Sequence, residues 1–163
     1  MERLYTIGAY GFDEEHFFGQ LHDAKVDLFL DLRRRRGMRG TVYSFANAMR
    51  LQQELEDRVI VYRHAIDLAP QPETRELQRR EDAQARVAKR QRKSLGKTFV
   101  DDYTSSTLES FDWEGMIKDL QAFRRPVLFC VERSPEACHR SIVAVRLARD
   151  TGILVTDLVP CTG

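Results

Sequence analysis

The sequence predicts an α/β domain with a mainly parallel five-stranded sheet flanked by helices, and three observations carry that prediction. Short apolar runs alternate with segments of helical periodicity along the chain, the pattern of strands joined by helical crossovers. The run VDLFLDLR, Val26 to Arg33, is nearly continuous in apolar residues, as a strand buried on both faces must be. The stretch VLFCVERSPEACHRSIVAVR, Val127 to Arg146, passes from an apolar run through a turn into an apolar-periodic segment. That strand–loop–helix order presents functional groups at the carboxyl edge of a parallel sheet.

Taken in order, Leu4 to Gly8 reads as a first strand ending at a glycine. Asp13 is placed to cap a helix whose buried side is Phe17, Phe18 and Leu21. Val26 to Arg33 is the central strand, and Ser44 caps a helix through Leu55 with Ala48, Leu51 and Leu55 on one face. Val59 to Tyr62 is a third strand, followed by His64 and a loop punctuated by Pro70 and Pro72. Residues 73–110 read as a helical insertion with the character of a lid, strongly polar from Glu73 to Lys97. Contact with a core resumes at Phe99, Tyr103, Leu108 and Phe111. Asp112 caps a helix through Phe123, Val127 to Val131 is a fourth strand, and a helix follows to about Asp150. Gly152 closes that helix in the left-handed manner, and Ile153 to Val159 is the last strand. No internal repeat or linker divides the chain, so residues 1–163 read as one domain.

At 163 residues the chain can bury a core without staples. A net charge of +1 offers no global basic excess for nucleic acid. The three cysteines, Cys130, Cys138 and Cys161, fit neither an even disulfide framework nor paired zinc-module spacing. The amino end MERLYTIGAY lacks the pattern of a signal peptide, and no run approaches the about 20 apolar residues of a membrane span. The expectation is a soluble cytoplasmic protein with reduced thiols and no membrane partner.

The segment from Cys130 to Arg140 holds two thiols, the Glu132 carboxylate, an imidazole and a guanidinium within eleven residues. Beside a helix amino terminus, where free N–H groups and the positive dipole end favour anions and thiolates, this set suits thiol chemistry on an anionic substrate. The helix has two possible starts. Ser134-Pro135-Glu136 has the signature of a cap and first turn. A start near Cys138 would leave 131–137 as a loop wrapped around an anion. Cys138, His139, Asp31, Cys130 and Glu132 are therefore the candidate catalytic residues. Arg33, Arg140, His64 and Ser141 are the candidate substrate-binding ones. Asp31 at the end of its strand could orient His139 or act as a base, and Arg33 could hold an anion in bidentate fashion. The competing reading of that pair is an internal Asp–Arg ion pair that shapes the loop.

Two basic clusters, Arg33 to Arg36 with Arg39 and the 79–97 segment, would suit a phosphate-bearing or nucleic-acid ligand. Glu76, Glu81 and Asp82 dilute the second into a solvated, ion-paired helix. Cys, His and Glu are also metal ligands, but the adjacent Cys138-His139 lacks familiar zinc spacing, and no metal ligand is assigned from spacing alone.

These residues resemble the uncharacterised family numbered 488 among domains of unknown function. The resemblance rests on Tyr5-Thr6-Ile7-Gly8, Asp31-Leu32-Arg33, Tyr62-x-His64 with Leu68, and above all Cys130-x-Glu132 followed by Pro135-x-x-Cys138-His139-Arg140. The family usually shows His-Ser after the first Ile-Gly, where this chain has Ala9-Tyr10. It tends to carry a proline after Asp-x-Arg, where this chain runs on in arginines. The resemblance implies an α/β fold and no particular activity. A weaker, fold-level likeness is to rhodanese-type domains, which also pair an Asp-x-Arg strand end with a later cysteine and an Arg-Ser step, here Arg140-Ser141.

Three functions stand open. One is an enzyme binding an anionic, phosphate- or nucleotide-like substrate at the Cys130–Arg140 loop, with Cys138 or Cys130 as nucleophile. A second is a non-catalytic nucleotide- or nucleic-acid-binding module using Arg33 to Arg36, Arg140 and the 79–97 helix. The third is a metal-binding domain using Cys130, Cys138, His139 and His64. No cofactor and no oligomeric state follow from the residues.

Overall fold

A computed structural model describes residues 1–88 and 91–160. Lys89 and Arg90 of the second basic cluster, and Cys161, lie outside the described residues. Five strands form one sheet: β1 (Leu4–Gly8), β2 (Leu28–Asp31), β3 (Val61–His64), β4 (Pro126–Cys130) and β5 (Val155–Leu158). Their order is β3-β2-β4-β1-β5, and every neighbouring pair is parallel. Consequently all five carboxyl ends share one edge. Register sets Gly8 beside Cys130, and Asp31 between Phe129 and His64.

The helices are α1 (Glu14–Asp23), α2 (Ala48–Asp57), α3 (Pro72–Gln84), α4 (Lys97–Tyr103), α5 (Trp113–Leu120) and α6 (His139–Thr151). Asp13 and Asp112 cap α1 and α5 through bonds from the His16 and Gly115 amides, and Gly152 ends α6 at φ 71°. Two apolar clusters flank the sheet because successive strand side chains point to opposite faces. One joins Phe29 and Phe129 to Phe17, Phe18 and Leu21 of α1 and to Leu51 and Leu55 of α2. The other joins Leu30, Leu32 and Leu128 to Phe99 and Tyr103 of α4, Leu120 of α5, and Val143 and Leu147 of α6.

Several boundaries differ from those read in the sequence, each for a local reason. The third strand starts at Val61 rather than Val59. Val59 turns left-handed at φ 59°, and the Val59 and Ile60 amides bond back to Glu56 and Leu55, so this dipeptide closes α2. Ser44 opens only a 3₁₀ turn; α2 begins at Ala48, and the Asn47 side chain accepts from the Met38 amide at 2.5 Å rather than capping the helix. The polar stretch from Glu73 to Lys97 is not one helix. Arg86 adopts φ 54° after α3, and the chain returns against α3 at Gly96, where an added Cβ would overlap the Glu81 carboxylate. A π-turn over Thr104–Leu108 completes the insertion, which packs Phe99, Tyr103 and Leu108 against Leu30 and Leu128 of the sheet, while the Tyr103 hydroxyl donates to the Leu68 carbonyl at 2.7 Å. Among the described residues, no helix is long and apolar enough to cross a membrane.

Candidate functional site

β4 is buried along its whole length and delivers Cys130 to the middle of the carboxyl edge. After a loop, a 3₁₀ turn over Pro135–Ala137 brings the chain back, and Cys138, extended at φ −137° and ψ 141°, immediately precedes α6. Of the two helix starts open in the sequence, α6 takes the later one. The Ser141 hydroxyl donates to the Cys138 carbonyl at 2.9 Å and braces the first turn.

This path places Cys130, Cys138 and His139 together, with their donor atoms within 4.8 Å of one another and their residues 2–5% exposed. His139 Nδ1 lies 3.9 Å from Cys130 Sγ and 3.8 Å from Cys138 Sγ. Its Nε2 lies 3.2 Å from the Leu32 carbonyl oxygen. A carbonyl only accepts, so Nε2 carries a proton, and Nδ1 is the nitrogen that faces the two sulfurs, donating to them in the imidazolium and offering a lone pair in the neutral ring. Tyr103 packs against the imidazole at 5.6 Å between ring centroids.

The two thiols are electrostatically unequal. Burial opposes ionisation of Cys138, but the hydrogen bond with Cys130, the charge and hydrogen bond of His139 and the charge of Arg140 outweigh it. Cys138 is held well below the ordinary thiol range. Cys130 is pushed well above that range, first by its hydrogen bond with Cys138, then by burial and the neighbouring sulfur's charge. Cys138 is therefore the more readily ionised of the two.

Arg140 is fully buried, and its guanidinium is spent inside the protein. Its Nη1 donates to the Glu132 carbonyl at 2.6 Å, Nη2 to the Arg133 carbonyl at 3.2 Å and Nε to Thr6 Oγ1 at 3.3 Å. The 131–133 loop thus wraps a cation of this chain. It approaches β1 so closely that a Cβ on Gly8 would stand 1.9 Å from the Glu132 carbonyl oxygen. The Glu132 carboxylate lies 3.7 Å from Arg92, which also bonds Asp82 at 2.8 Å and the Ala137 carbonyl at 3.0 Å. With the Leu95 amide on the Glu136 carbonyl at 3.1 Å, Arg92 straps the insertion across the turn that leads to Cys138.

Asp31, Arg33 and His64 form a separate network. Arg33 grips Asp31 through Nε at 2.8 Å and Nη2 at 2.7 Å, donates to the Ala46 carbonyl at 2.9 Å and lies 4.6 Å above the Phe129 ring. Tyr62 donates to Asp31 at 2.9 Å, and His64 Nε2 donates to the Arg33 carbonyl at 2.7 Å. Asp31 shares strand parity with Phe29, whereas Cys130 shares it with Leu128, so the two groups sit on opposite faces of the same edge. The internal ion pair is what forms, and the Leu32 backbone orients His139 where Asp31 was a candidate. The partners that sequence reading missed are Leu32, Tyr103 and Arg92. The first acts through a carbonyl that has no side-chain signature, and the other two come from the insertion.

Fold and site together define an all-parallel α/β protein with a buried two-thiol, one-imidazole cluster at the carboxyl edge of its sheet. The chain belongs to the family described as Domain of unknown function DUF488, whose model matches residues 14–147, from the start of α1 well into α6. No curated protein and no solved structure matches it.

Proposed function

We propose that this protein binds a thiophilic metal ion through Cys130, Cys138 and His139. One observation carries the reading: an imidazole whose Nε2–H is anchored on the Leu32 carbonyl turns its Nδ1 to two buried sulfurs at nearly equal distances. A ligating histidine commonly donates its other N–H to a carbonyl in this way, which fixes its tautomer and direction. Linear spacing spoke against a metal, but the three donors meet through the return of α6 onto the end of β4, which spacing rules do not cover. His64 is not part of the set, because its Nε2 is engaged by the Arg33 carbonyl. A cytoplasmic, reducing setting belongs to the same proposal, since it keeps both thiols available.

A thiol enzyme acting on an anion is the second reading, favoured by the place of Cys138 at the amino end of α6 with an imidazole 3.8 Å away. However, Arg140 beside the cluster and Arg33 on the other face of the sheet are both already occupied by protein acceptors.

Anaerobic equilibrium dialysis of the reduced protein against Cu(I), Zn(II) and Cd(II) tests the proposal. The expected result is stoichiometric retention of at least one of these ions, lost in both Cys130→Ser and Cys138→Ser. If none is retained while Cys138 reacts with soft electrophiles, the enzyme reading takes its place.

A further inference from the structure

Resting on the metal-site reading, we infer that the site is three-coordinate and selects a monovalent soft cation of the Cu(I) class over Zn(II). The ligand count comes first. Among the described His, Cys, Asp and Glu residues, these three form the set whose donor atoms converge. Neighbouring groups that would supply a fourth donor are committed elsewhere. The Tyr103 hydroxyl donates to the Leu68 carbonyl. His64 donates to Arg33, and Leu32 already accepts from His139.

Zn(II) with three protein ligands takes water or substrate in its fourth position. Here the donor residues are closed in by the sheet edge, the Tyr103 ring and the strapped turn, at 2–5% exposure. Thiolate-rich sites of low coordination suit Cu(I), which does not require a fourth ligand.

The N···S edges, 3.8 and 3.9 Å, are close to the about 3.5–3.7 Å expected for one ion with metal–sulfur near 2.3 Å and metal–nitrogen near 2.0 Å. Charge is compatible as well. Two thiolates around a monovalent ion leave one net negative charge, and Arg140, bonded to two carbonyls and a hydroxyl, is the adjacent cation. Beyond it, Arg92 is already shared between Asp82 and Glu132.

The test uses the whole reduced chain, loaded anaerobically with Cu(I) or with Zn(II), desalted, and analysed for metal content and by X-ray absorption. Cu(I) is expected to remain at one ion per chain with a shell of two sulfurs and one nitrogen. Zn(II) is expected to be lost on desalting and not to displace Cu(I) at about tenfold excess. Stoichiometric Zn(II) with a four-atom shell would overturn the three-coordinate inference while leaving the metal-site proposal intact. Retention of neither ion would remove the Cu(I) inference, and failure of Cd(II) in the dialysis as well would remove the metal-site proposal.

Discussion

His139 Nε2 donates to the Leu32 carbonyl at 3.2 Å, tying the first turn of α6 to the residue that follows β2. The bond spans the edge from one strand end to another element and decides which imidazole nitrogen faces the thiols. Replacing the histidine removes both functions together. His139→Ala should abolish ion retention and destabilise the metal-free protein by about 1–3 kcal/mol, because the buried Leu32 carbonyl loses its donor. Dialysis and chemical denaturation of the apo form check the two parts separately.

Metal uptake should release protons. Ligation by both sulfurs displaces the proton held by Cys130, whose thiol is pushed well above the ordinary range, so uptake releases protons and affinity rises with pH until Cys130 ionises by itself. Titration in weakly buffered solution measures the release. An affinity independent of pH would mean that the assigned proton is not there.

The strap at Arg92 should govern rate more than equilibrium. Arg92→Ala removes the contacts that pin the insertion to the Ala137 turn while leaving all three donors in place. Transfer of the bound ion to a chelator should accelerate about tenfold, corresponding to about 1.4 kcal/mol off the opening barrier. Stopped-flow chelation of the loaded protein reports it.

Asp31→Asn should behave as a stability variant. Removing the carboxylate leaves Arg33 as a buried charge without its partner, a cost of about 3–5 kcal/mol. Provided the variant is assayed below its unfolding temperature, ion retention should persist, because the Asp31–Arg33 network lies on the other face of the sheet. Loss of the ion from folded Asp31→Asn protein would show that the two networks are coupled.

Two glycines give opposite expectations. Gly8→Ala would drive a methyl group into the Glu132 carbonyl and Arg140, so it should displace the 131–133 loop and lower the melting temperature. Gly19→Ala, inside α1 with nothing within 4 Å, should stabilise by about 0.4–1 kcal/mol. Thermal unfolding of the two variants side by side separates close approach from helix propensity.

Most strand and helix identities were legible in the residues because they are local, though the late start of α2 and the break after α3 were not. The apolar run at β2, the alternation at the tail and the caps at Asp13, Asp112 and Gly152 each declare themselves within a few positions. The Cys130–Arg140 segment also stood out on residue types alone. The roles inside it were decided by tertiary structure, for two physical reasons. Strand parity sends Asp31 and Cys130 to opposite faces, so two groups at one edge do not share a site. Burial, in turn, obliges Arg33 and Arg140 to find acceptors within the chain, which converts apparent anion grips into internal ties. The anchoring acceptor of His139 is a backbone carbonyl, present at every residue and therefore invisible until the Leu32 turn and α6 are brought together in space.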